Sequence, residues 1–184
     1  MNGKFVIITG PSGSGKTALV TSILTKIPHS TRLVTTTTRV PRPGEKDDYF
    51  FVLREEFEKG IKNEDFFEYA EVYGNLYGSS KKALESSIRK YEYVFVIIDV
   101  KGAQTLKSKI PHAVVFFISP GTIEDIHDRL LRFRSGISKD ELEKRLNTAT
   151  YELSVAPHFD HIIDNKEGHF KHAVTTLMSL IHGK

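Results

Sequence analysis

The chain has 184 residues and a formal net charge of +3, with 27% charged residues and no cysteine. That length suits one domain with a substantial core, the mild charge suits anionic small molecules at least as readily as nucleic acid, and the lack of cysteine excludes a disulfide scaffold, a thiolate zinc site and a cysteine nucleophile. The early apolar run Phe5-Val6-Ile7-Ile8 is too short for a signal-peptide core, and no later run nears the roughly 18 residues of a membrane span. A soluble, untargeted, cytoplasmic protein with neither a membrane nor a nucleic-acid partner is expected.

In chain order, the run from Phe5 to Ile8 is a predicted strand buried on both faces. A glycine-rich turn and a helical pattern over 17–26 follow, then a second strand at Leu33-Val34. Between 39 and 77 the helix-strand rhythm breaks. That stretch is rich in aromatics, with turn signals at Pro41, Pro43, Gly44, Gly74 and Gly78, and predicts short antiparallel strands inserted in an α/β core. Helical spacing returns over 81–90, followed by apolar strands at 94–98 and 114–118, helices over 123–131 and 139–153, a candidate fifth strand at His161-Ile162-Ile163, and a helix over 170–181. Such alternation predicts a parallel sheet in an α/β, three-layer fold. Thr122 with Asp125, and Ser138 with Glu141, carry helix-capping chemistry. Between those helices lies Arg132-Phe133-Arg134-Ser135-Gly136, which reads as a mobile lid or as an ordinary solvated loop.

Gly10-Pro11-Ser12-Gly13-Ser14-Gly15-Lys16-Thr17 fits G-x-x-x-x-G-K-[ST] and lies directly after a strand and at the opening of a helix. Glycines let the backbone turn several N–H groups toward phosphates, and the helix N-terminus adds the positive end of its dipole. Lys16 would neutralise the β and γ phosphates of a nucleotide such as ATP, and the Thr17 hydroxyl would ligate the Mg²⁺ that bridges them. The motif alone indicates a bound triphosphate, or occasionally another phosphorylated ligand, and leaves the acceptor open.

Downstream motifs narrow the acceptor. Thr36-Thr37-Thr38-Arg39-Val40-Pro41-Arg42-Pro43-Gly44-Glu45, Asp48-Tyr49-Phe50-Phe51, Phe67-Glu68-Tyr69-Ala70, Tyr73-Gly74-Asn75-Leu76-Tyr77-Gly78-Ser79, Ile98-Asp99-Val100-Lys101-Gly102, and Arg145-Leu146 through Ala149 to Glu152-Leu153 resemble the guanylate kinase family, in order, over about residues 5–165. The resemblance implies a P-loop kinase that phosphorylates GMP with ATP. Its single domain would comprise a core (about 1–34, 81–125 and 157–184), an inserted mixed α/β GMP-binding subdomain (about 35–80) and a helical lid (about 126–156). By resemblance Arg39, Arg42, Tyr49 and Tyr77 grip the GMP phosphate, residue types suited to the task because arginine forks and tyrosine hydroxyls donate to phosphate oxygens. Guanine presents N1–H and N2–H₂ as donors and O6 as acceptor, so Glu68 and Ser79 form a complementary reader. The family also places Asp99 and the Thr35 position against guanine. Arg134 and Arg145, with Arg132 a weaker candidate, are implied to close on the transferring phosphoryl group, alongside Lys16 and Arg39; Arg129 reads as structural.

The likeness has departures. Ile97 stands where a carboxylate is usual near the metal, leaving Thr17, phosphates, water and Asp99 as candidate Mg²⁺ ligands; Tyr69 replaces a tryptophan, Lys101 a glutamine, the stretch Glu45-Lys46-Asp47-Asp48 is shorter than usual, and the lid is one residue longer than in close relatives. Two other readings stay open: a kinase of the same fold acting on another phosphorylated acceptor such as a ribose phosphate, and a non-catalytic binding module.

Overall fold

The computed structural model describes residues 3–41, 48–133 and 136–183. Two compact units divide the chain, Met1–Ile7 with His29–Ala113, and Ile8–Pro28 with Val114–Lys184. Strand β1 (Lys4–Thr9) passes from the first to the second at Ile7.

In the first unit the sheet order is β2-β7-β1, with β2 (Ser30–Leu33) parallel to β7 (Tyr93–Ile97). Val94, Phe95 and Val96 are fully buried, which is why β7 reads as an unbroken apolar run rather than an alternating one. Helix α3 (Lys81–Lys90) starts at Ser80, whose hydroxyl accepts from Ala83 N at 3.4 Å. Helix α4 (Val100–Lys109) starts at Asp99, whose carboxylate accepts from Lys101 N and Gly102 N at 2.8 and 3.1 Å. Both satisfy amides that a helix start leaves orphaned.

A second, mixed sheet in this unit runs β4-β3-β6-β5, from β3 (Thr36–Thr37), β4 (Phe50–Phe51), β5 (Phe66–Val72) and β6 (Asn75–Ser80). The β5–β6 hairpin closes through Tyr73 and Gly74, with φ 51° and 78°, the positive values that a two-residue turn requires. One face of the sheet is apolar and carries helix α2 (Arg54–Lys62). There the fully buried Phe57 stacks on Phe66 at 4.3 Å between ring centroids. A Cβ on Gly78 would stand 2.8 Å from Phe66 and 2.9 Å from Phe57, so the strand carries glycine where the aromatic pair needs room.

The expectation that the strands between 39 and 77 are antiparallel is corrected in part, and helix α2 supplies the mixed α/β character that the resemblance implied. The β3–β4 pair is parallel, α2 is a helix, and Gly78 lies inside a strand rather than a turn. Apart from Gly60, α2 offers only Phe57 and Ile61 among charged residues, too sparse a stripe to outweigh the surrounding aromatics.

In the second unit the order is β1-β8-β9, with β8 (Val114–Ser119) parallel to β9 (His161–Asp164) and Phe116 opposite His161. Helix α1 (Lys16–Leu24) packs on α7 (Phe170–His182). Helices α5 (Ile123–Phe133) and α6 (Lys139–Val155) join through Ile126, Leu130 and Ala149, flanked by Leu142, Leu146 and Leu153. Their starts are capped as the sequence suggested: Thr122 N donates to Asp125 Oδ2 (2.7 Å), Asp125 N to Thr122 Oγ1 (3.3 Å), and Glu141 N to Ser138 Oγ (3.2 Å). Parallel core strands with helices and a mixed second sheet make this an α/β fold. Among the described residues, no helix is long and apolar enough to cross a membrane.

Truncating Phe57 to alanine opens a cavity beneath the second sheet and is expected to cost about 3–4 kcal/mol in denaturant unfolding; a loss below about 1 kcal/mol would show that α2 is not needed to hold that sheet.

Candidate active site

The second unit carries the glycine-rich turn. Gly10, Gly13 and Gly15 adopt φ of 132°, 82° and 84°, a region where side chains are strained. Space adds a second constraint, because a Cβ would fall 2.4 Å from Ile118 O at Gly10 and 2.6 Å from Asn165 Nδ2 at Gly15. Asn165 follows β9, and its buried amide donates to Ser14 O at 2.7 Å. Arg129 of α5 donates to Asn165 O at 2.7 Å and Gly13 O at 3.4 Å. The turn is thus held from behind by groups that pattern reading did not assign to it, Asn165 in particular; the Asn165 side chain bears no spacing signal that marks it in sequence.

Lys16 lies across the turn, its ammonium donating to Gly10 O (2.6 Å) and Pro11 O (2.8 Å). Ser12 accepts from Arg145 Nη1 at 3.3 Å, while the rest of that guanidinium grips Glu141 at 2.6 and 2.9 Å. Arg145 is buried, and an arginine so desolvated and paired is preorganised to meet an anion. Thr17 is exposed on the first turn of α1. Lys16, Thr17 and Arg145 therefore share one unit with Gly10, Pro11, Ser12, Gly13, Ser14 and Gly15, whereas Arg134 lies outside the described residues. Arg132 pairs instead with Glu167 at 2.7 Å.

The first unit carries the other group of expected residues. Opposite its apolar face, the second sheet is polar yet buried: Thr37, Glu68 and Ser79 are at most 5% exposed, as is Thr35 just before β3. Glu68 faces Ser79 across the β5–β6 ladder, and Ser79 Oγ donates to Glu68 Oε1 at 2.7 Å. Asp99 stands nearby. A Cβ on Gly102 would lie 3.1 Å from Glu68 Oε2 and 3.5 Å from Asp99 Oδ2, so this glycine leaves space between two carboxylates. Tyr49 and Tyr77 meet edge to face at 6.0 Å, and the Arg39 guanidinium lies 5.5 Å from the Tyr49 ring. Arg42 lies outside the described residues. Burial, above all, pushes the Glu68 carboxyl from its ordinary 4.5 up to about 7; the Ser79 hydroxyl opposes the rise and the Asp99 charge adds to it.

One unit thus holds a glycine-rich turn of the kind that takes a polyphosphate, and the other holds a buried acid and alcohol. The guanylate kinase family model matches residues 2–184. The chain belongs to the guanylate kinase family. It is 39% identical to the guanylate kinase of Escherichia coli K12, over 99% of this chain and 88% of that protein. To the guanylate kinase of Thermotoga maritima it is 34% identical, over 100% and 88%. Among solved structures, the guanylate kinase of Anaplasma phagocytophilum matches with a TM-score of 0.80 at 28% identity, covering 98% of this chain and 85% of that one. In this guanylate kinase-family chain, then, Glu68 is a buried carboxylate whose neutral form the folded state favours.

The sign of its pH dependence follows. Unfolded chain ionises near the ordinary 4.5 and folded chain near 7, so stability falls as pH rises through that window, by up to roughly 3 kcal/mol. Glu68→Gln is therefore expected to melt higher than wild type at pH 8, with the gap closing toward pH 5; a variant that melts lower at pH 8 would contradict the buried-acid account.

Proposed function

We propose that this chain transfers the γ-phosphoryl group of ATP to the phosphate of GMP, forming ADP and GDP. The observation that carries the reading is the Glu68–Ser79 pair, buried on a polar sheet face at 2.7 Å. An ionised carboxylate can accept from guanine N1–H and N2–H₂, and the Ser79 hydroxyl, turned away from Glu68, can donate its one proton to O6. Adenine would turn its N1 lone pair toward the carboxylate and leave buried polar groups unpaired, which discriminates strongly. Thr35 and Asp99 complete the base site in this reading; Arg39, Arg42, Tyr49 and Tyr77 hold the acceptor phosphate.

On the donor side, Gly10 to Thr17 cradle the ATP phosphates, and Lys16 leaves its own loop carbonyls to neutralise the β and γ groups. Arg145, Arg134 and Arg39 compensate charge on the transferring group, since phosphoryl transfer needs alignment and charge compensation more than a strong base. The Thr17 hydroxyl would hold Mg²⁺, which would supply charge compensation for the donor phosphates. We assign residues 35–80 to acceptor binding, 126–156 to the lid and the remainder to the core.

Turnover with GMP, dGMP, AMP, CMP, UMP and ribose 5-phosphate tests the assignment, guanine nucleotides being preferred by at least about a hundredfold; equal use of all acceptors would refute it. Lys16→Ala is expected to lose about a hundredfold or more in kcat. Glu68→Ala is expected to raise KM for GMP while sparing KM for ATP, and an equal loss with every acceptor would remove Glu68 from base recognition.

A further inference from the structure

Glu68 faces Ser79 only because β5 is irregular. The register runs Phe66 to Ser80, then Glu68 to Ser79, so Phe67 is an extra residue bulged out of the ladder. In an unbroken ladder Phe67 would oppose Ser79 and Glu68 would oppose Gly78, on the apolar face with Phe57 and Phe66, because a one-residue slip reverses every side chain. Something must hold the bulge. The Phe67 carbonyl accepts from Lys109 Nζ at 2.6 Å, and the same ammonium sits 5.4 Å from the Phe67 ring centroid. Lys109 ends α4, the helix that packs on β5 and whose other end supplies Asp99 and Gly102.

We propose that Lys109 is a positioning residue for acceptor recognition: from the last turn of α4 it pins the Phe67 bulge and so keeps Glu68 in the register that faces Ser79. The ammonium contacts the backbone and ring of the bulge, and its charge also favours the ionised form of Glu68. A charge-assisted bond to a carbonyl combined with a cation over a ring is the kind of contact that stabilises one local backbone arrangement over another. Lys109 is exposed, so its replacement leaves the core intact. The inference rests on Glu68 as the guanine reader.

The test is a double-mutant cycle on the full chain, with KM and kcat measured for GMP and ATP in wild type, Lys109→Met, Lys109→Arg, Glu68→Gln and the Glu68→Gln/Lys109→Met pair. Lys109→Met keeps much of the apolar stem and removes the charge. It is expected to raise KM for GMP about three- to tenfold, with KM for ATP and kcat within about twofold, and Lys109→Arg is expected to restore most of the loss. In the Glu68→Gln background, Lys109→Met should add less than about twofold, because both act on one contact. An unchanged KM for GMP in Lys109→Met, beside an impaired Glu68→Gln, overturns the positioning role and leaves the guanine reader standing. Full multiplication of the two effects, or an equal rise in KM for ATP, overturns it as well. An unimpaired Glu68→Gln overturns the reader itself, and the positioning role with it.

Discussion

A carboxylate held inside a protein is costly unless something answers its charge, and Glu68 is answered chiefly by Ser79, whose hydroxyl donates to it at 2.7 Å, with the Lys109 charge assisting, less than burial takes away. The surrounding architecture follows from that constraint. The second sheet keeps its apolar side for Phe57 and Phe66 and turns Thr37, Glu68 and Ser79 to the other side, where burial withholds water. Gly102 omits a side chain next to the acid, and the Phe67 bulge sets its direction. In the proposed assignment a purine edge with two donors would meet this acid, so that the stability given up to its burial would be recovered on binding the correct base and selectivity and instability would share one origin.

The donor turn obeys a different logic. Its conformation is demanded by steric exclusion, with Ile118 O and Asn165 Nδ2 occupying the volume that side chains at Gly10 and Gly15 would need. Arg129 then donates to Gly13 O and Asn165 to Ser14 O, fastening those carbonyls from outside. The backbone amides are left oriented by packing, which is what a preorganised anion cradle requires.

How far these features could be read from residues alone varied with their physical cause. Strands β1, β7 and β8 were legible because burial on both faces leaves continuous apolar runs, and the starts of α5 and α6 were legible because capping uses fixed spacings. Strand β2 was read too late, at Leu33-Val34, since Ser30, Thr31 and Arg32 are only half-buried and polar. Helices α2 and α4 were hidden by glycine and charge. The phosphate turn announces itself by spacing, and Glu68 with Ser79 emerged from family likeness. The bulge that makes them neighbours has no residue signature, because it depends on a helix end more than 40 positions away.

Asp99 carries a double constraint. Its Oδ1 holds the first amides of α4 while Oδ2 borders the gap beside Gly102 and Glu68. A replacement that abandons the short oxygen acceptor leaves the first amides of the helix that also carries Gly102 and Lys109 without their side-chain partner, so one carboxylate serves the helix start with one oxygen and the pocket with the other.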